Sequence, residues 1–133
     1  MSKIPSLPAI YLKKAHEKLK SARLLLRTGN FEDSVSRSYY SAFLAANAAL
    51  AAYGLKADTH RGVLTLFSLT FLKTGKMKKN LAKLLANLRE DREAGDYEAY
   101  SWIDRETSRN AIKEAEFFVK EVASFLKKEG IIH

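Results

Sequence analysis

The sequence predicts an all-α protein, an antiparallel up-and-down bundle of four to five helices, and three observations carry that expectation. Apolar residues recur at steps of three and four along almost the whole chain, and no segment alternates as a strand would. Six Gly and two Pro in 133 residues are few, and most fall where one helical pattern stops and the next begins. From Ser38 to Leu55 there is no charged residue, in a chain that is 29% charged. That pattern suits a helix with neighbours on every side.

The first helix is expected from about Pro8 to Thr28. Leu12, Ala15, Leu19, Ala22 and Leu26 form its stripe, Ser6 suits its start and Gly29 its stop. Asn30 can cap the second helix, with Glu32 and Asp33 well placed in its first turn. Val35, Tyr39, Ala42, Phe43, Ala46, Leu50 and Tyr53 share one face of it. Arg37, Tyr40, Ser41, Leu44, Asn47 and Ala48 lie opposite, and Gly54 ends it. Asp58 or Thr59 caps a third helix reaching about Leu72. A fourth runs from about Lys76 to Glu93, with Met77, Leu81, Leu84, Leu85 and Leu88 inward and Gly95 as breaker. Asp96–Arg105 reads as a loop or short turn. The last helix, about Glu106–Lys128, buries Ala111, Ala115, Phe118, Val122 and Phe125.

Length and the lack of any linker, repeat or low-complexity segment give a single domain over residues 1–133. The absence of Cys excludes disulfides and thiol chemistry and fits a reducing compartment. No signal-peptide pattern opens the chain, so the expected location is cytoplasmic. The uncharged run has the length of a membrane span, but alanine gains little from lipid, and Ser, Tyr and Asn would need partners there. No membrane association is expected. The histidines at 16, 60 and 133 show no metal-ligand spacing, so no metal is expected, and no cofactor motif occurs.

The net charge of +8 is uneven: residues 59–89 carry seven Lys or Arg and no acid, whereas 90–133 carry eleven acids against seven bases. A basic surface of this kind suits phosphates or an acidic partner, and equally describes a solvated face.

Several side chains are candidates for chemistry. Arg37 stands three residues before Tyr40 and four before Ser41, so the three share a helical side. A guanidinium beside a phenol can hold a phosphate or carboxylate, or pair with an acid of another helix and fix the packing. Tyr39 and Asn47 read as core residues. His60 and Arg61 follow Asp58-Thr59 at a helix start, where free amides attract anions; a surface histidine beside a cap is the plainer reading. Arg92 and Tyr97 belong to the charged run Asp91-Arg92-Glu93 and Asp96-Tyr97, which is either a cleft edge or a helix-end cluster.

Taken together, these residues resemble the HEPN family (higher eukaryote and prokaryote nucleotide-binding domain), in its small stand-alone prokaryotic form. The resemblance rests on the leucine–alanine pattern from Leu12 to Leu19, on Asn30-Phe31-Glu32-Asp33-Ser34, and on S-R-x-Y-Y-x-A-F at Ser36–Phe43. Thr59-His60-Arg61-Gly62-Val63, then Arg92 with Gly95-Asp96-Tyr97, and an Ala/Phe-rich last helix complete it. It implies a bundle that dimerises through helix faces. It also implies a minimal nucleotidyltransferase as partner in a toxin–antitoxin-like pair. Ribonucleases of the family resemble one another in an arginine followed, after four to six intervening residues, by a histidine, and no histidine here has that arginine upstream. The expectation is a non-catalytic, nucleotide- or RNA-phosphate-binding homodimer. Arg37, His60, Arg61 and Arg92 are its candidate phosphate contacts, and Tyr40 and Tyr97 stack on or hydrogen-bond the ligand. The alternatives are a ribonuclease with a non-standard site built on His60 with Arg37 or Arg61, and a pure interaction module.

Overall fold

A computed structural model describes residues 4–97, 99 and 102–133. The elements run α1 (Leu7–Arg27), α2 (Phe31–Ala52), α3 (His60–Phe67), α4 (Leu81–Tyr97) and α5 (Arg105–Lys128). One π-helical turn, Ser68–Leu72, extends α3. No strand occurs among the described residues, in line with the all-α expectation.

Local signals set most boundaries. Ser6 accepts from the Ala9 amide at 3.4 Å and starts α1, with Pro8 in its first turn. Gly29, at φ 80°, lets the chain reverse so that the Asn30 amide reaches the Leu25 carbonyl at 2.8 Å. Asn30 precedes α2 as expected, yet its side chain turns back and donates to Thr28 Oγ1 at 2.8 Å instead of capping. Thr59 caps α3 through the Gly62 amide at 2.9 Å, and Asp104 caps α5 through the Thr107 amide at 2.8 Å.

α2 is the central helix. It packs against α1, α3, α4 and α5, and Ala42, Ala45, Ala46, Ala48 and Ala49 are all fully buried. Small side chains on both faces let four neighbours approach one axis, which explains the uncharged run without a membrane. No helix among the described residues is long and apolar enough to cross one. Ser34 ties α2 to α1 by donating to the Ala22 carbonyl at 2.8 Å. At the far end, Phe67, Phe71, Phe118, Phe125 and Tyr53 form a chain of rings with centroids 5.0–5.4 Å apart.

Two sequence expectations need correction. The fourth helix starts at Leu81, not Lys76, because residues 76–80 fold back over the preceding turn and the Met77 amide bonds the Phe71 carbonyl at 2.8 Å. Gly95 does not break α4, which continues to Tyr97. There Gly95 is buried and packs against the start of α2, where a Cβ on it would meet the Glu32 Cβ at an ordinary contact distance of 3.4 Å. Asp96 and Tyr97 are therefore helical rather than part of a loop. Residues 98, 100 and 101 of the expected loop lie outside the described residues.

Candidate functional site

Close passage of α4 along α2 creates one concentrated group of polar and aromatic side chains. α2 contributes Tyr39, Tyr40 and Phe43, α3 its first residue His60, and α4 its last two turns with Arg92, Asp96 and Tyr97. Helical spacing explains the sets: residues three and four apart share a side, as Arg92 and Asp96 do, and as Tyr39 and Tyr40 do with Phe43.

Arg92 is the hub. Its guanidinium carbon lies 5.1 Å from the ring centroids of both Tyr39 and Tyr40, and 5.9 Å from that of Tyr97. Nε donates to Asp96 Oδ2 at 3.1 Å and Nη2 to the Tyr40 hydroxyl at 3.2 Å. Only 15% of its side chain is exposed. An arginine so enclosed is held in one orientation. These two bonds use two of its five N–H donors, and the remaining ones are available to an acceptor.

His60 lies on the other side of the same tyrosines. Its ring sits 4.2 Å from Phe43 at 35° and meets the edge of Tyr40 at 5.8 Å. Its Nδ1 is 3.4 Å from the hydroxyl of fully buried Tyr39. Partial desolvation, reinforced by the charges of Arg92 and Arg89, lowers the His60 pKa, so the imidazole is neutral at pH 7. Burial pushes the Tyr39 phenol up, against the lowering effect of Arg92, so it remains an O–H donor. The site thus joins a fixed cation, a neutral imidazole and three phenols. This set can bind a phosphate, stack a base, or exchange a proton.

Of the six residues expected at a site, Tyr40, His60, Arg92 and Tyr97 come together. Arg37 does not join them. It is exposed, and among the described residues no hydrogen bond, ion pair or ring contact links it to the group. The Tyr40 phenol that Arg37 was expected to share bonds Arg92 instead, because α4 closes over that side of α2. Arg61 is also exposed, one residue beyond His60, with no such link. Three participants were not expected. Tyr39 reads as core and is buried, yet its hydroxyl reaches His60. Phe43 supports the imidazole, and Asp96 neutralises Arg92; the Arg92–Asp96 spacing of four was the available signal.

A separate groove of about 580 Å³ runs between α4 and α5, lined by Asn87, Glu90, Asp91, Thr107, Asn110, Lys113 and Glu114. Desolvation first, then Glu114 and Glu90, raises the Asp91 carboxyl to about 6. No trio of His, Asp or Glu among the described residues is placed to hold a metal ion.

Fold and site define a class: a helical bundle whose second, third and fourth helices gather an arginine, a histidine and three tyrosines. The chain belongs to the HEPN domain family, whose sequence profile matches residues 9–128. It is 35% identical to "UPF0332 protein" of Thermotoga maritima, over 86% of this chain and 87% of that protein. It is 30% identical to "Putative toxin MJ0605" of Methanocaldococcus jannaschii, over 86% and 84%. Among solved structures it resembles TT1696 from Thermus thermophilus, with a TM-score of 0.77 at 16% identity over 92% of this chain and all of that one. That likeness concerns the fold.

Proposed function

We propose that the Arg92 cluster binds a nucleotide or an RNA phosphate, and that the protein works as a non-catalytic, toxin-like homodimer with a minimal nucleotidyltransferase as partner. The observation that carries the binding reading is the guanidinium of Arg92, held by Asp96 and Tyr40 under two tyrosine rings with neutral His60 alongside. Phosphate would take the free guanidinium donors, and a base would stack on Tyr97, which is 73% exposed. The toxin name carried by two M. jannaschii relatives supports the biological class. The nucleotidyltransferase and the dimer rest on the family resemblance. Calorimetry with ATP, GTP and a short RNA tests the site. Arg92→Lys, which keeps the charge and loses the fork, is expected to weaken binding about tenfold or more. Arg37→Ala is expected to bind as wild type does. No binding by the folded wild type to any of the three would sink the reading.

A second reading is ribonuclease action, and the approach of His60 and Arg92 to one tyrosine pair favours it. The arginine–histidine pairing missing from any one helix is supplied here by two. A neutral imidazole beside a fixed guanidinium has the composition for removing a 2′-hydroxyl proton and steadying a phosphorane. On this reading RNA is cut by wild type and left intact by His60→Ala. Cleavage that persists unchanged in His60→Ala excludes this site.

A further inference from the structure

Beyond Arg92, the end of α4 leaves two large aromatic rings in solvent. Tyr97 is 73% exposed and Trp102 52% exposed. Both line one groove of about 500 Å³, with Ala94, Glu90 and Glu93 completing the wall. Among the described residues every charged one in that wall is an acid, on a chain whose net charge is +8. Glu93 accepts from Arg89 Nε at 3.2 Å. Glu90 has no ion pair among the described residues and is exposed.

We propose that this groove recognises a cationic side chain, an arginine or lysine projecting from a basic segment of a partner protein. Charge and shape together select the occupant. The faces of tyrosine and indole rings carry negative electrostatic potential and attract cations, most strongly where water is displaced. A carboxylate beside them accepts N–H donors, and a guanidinium offers both a planar face for the rings and a fork for Glu90. A phosphate entering the same groove meets the carboxylates of Glu90 and Glu93, of which, among the described residues, only Glu93 is paired with a cation, Arg89. An uncharged apolar group would cover the carboxylates without pairing them. Over residues 90–133 acids outnumber bases eleven to seven, a bias that favours a basic partner over an acidic one. This site is distinct from the phosphate site and shares with it only Tyr97, whose ring lies 5.9 Å from the Arg92 guanidinium carbon.

Trp102 is the only tryptophan of the chain, so its emission reports on the groove directly. The probes are an acetylated, amidated hexapeptide carrying two arginines and its twin carrying citrulline, which keeps the shape and loses the charge. The arginine peptide is expected to change Trp102 emission saturably, with a dissociation constant at least about tenfold below that of the citrulline twin. Glu90→Gln is expected to remove most of that preference, and Lys20→Gln on α1 to leave it intact. Both replaced side chains are exposed, and helical circular dichroism confirms that each variant is folded. Equal affinity for the two peptides overturns the proposal. So does an unchanged preference in Glu90→Gln, or no saturable response at millimolar peptide. Emission that responds to GMP but not to the peptide assigns the groove to a nucleobase. Emission that changes with protein concentration alone assigns it to a second copy of the chain.

Discussion

Arg92→Ala is expected to abolish ligand binding and to lower folding stability by about 2–3 kcal/mol, a large effect for a residue at one end of a helix. Removal of the guanidinium takes away its contacts with the Tyr39 and Tyr40 rings and leaves the Tyr40 hydroxyl without that donor. It also strands the Asp96 carboxylate, which is 28% exposed and so recovers some hydration. Urea unfolding measures the loss. A second readout separates the electrostatic role from simple packing: Arg92 helps to hold the His60 pKa down, so the imidazole should titrate at a higher pH in the variant. Its return is partial because desolvation, the larger cause, remains. A His60 titration that does not move, in a folded variant, would contradict the proximity described above.

Asp91→Asn should act in the opposite direction and raise stability near neutral pH. The Asp91 carboxyl, at about 6 in the folded chain, has an ordinary value of 3.8. The folded state therefore holds this proton more tightly than the unfolded one. Stability falls as pH rises from about 4 through about 6 and is flat beyond. The full shift would correspond to nearly 3 kcal/mol, but Asp91 is only partly buried, and screening reduces the expected gain to about 1–2 kcal/mol at pH 7.5. Below pH 4 wild type and variant should converge. Glu90 and Glu114 face Asp91 as like charges, and Lys113 lines the same groove as the opposing one. Asp104 works in the other sense, since its amide bond from Thr107 lowers its pKa and its contribution is lost as pH falls. The difference between variant and wild type, measured across pH by thermal or urea unfolding, cancels that background. A gain that is equal at pH 4 and pH 7.5 would rule out the titration account.

Much of the bundle is legible in the sequence because local signals and the buried stripes agree. Ser6, Gly29, Thr59 and Gly54 mark helix ends, and the alanine run of α2 announces a helix enclosed on all sides. Gly95 misleads because a mid-helix glycine costs only about 1 kcal/mol, which the packing of α4 against α2, Glu32 included, outweighs. That balance involves residues 63 positions apart in the chain and cannot be read from either segment alone. The start of α4 misleads for a related reason: Lys76 to Asn80 has helical composition, but the bond from Met77 to Phe71 holds it as a loop.

The candidate site was legible as a list of residues and not as a place. Tyr40, His60, Arg92 and Tyr97 stand out by residue type and position, while the choice among Arg37, Arg61 and Arg92 depends on which helix covers which side of α2. Tyr39 shows the limit of sorting residues by helical face. Its ring belongs to the core and its hydroxyl to the site, and a long amphipathic side chain can do both.

Because His60 and Arg92 sit on different helices, the gap between them is not a fixed multiple of helical rise. It is set by how α3 and α4 rest on α2, and thus by buried residues outside the cluster, the alanines of α2 and Gly95 among them. Substitutions at those distant positions can retune the chemistry of the cluster while every residue in it stays the same. In a library selected for altered activity, the informative changes should therefore appear along the seams between helices as well as at the cluster itself.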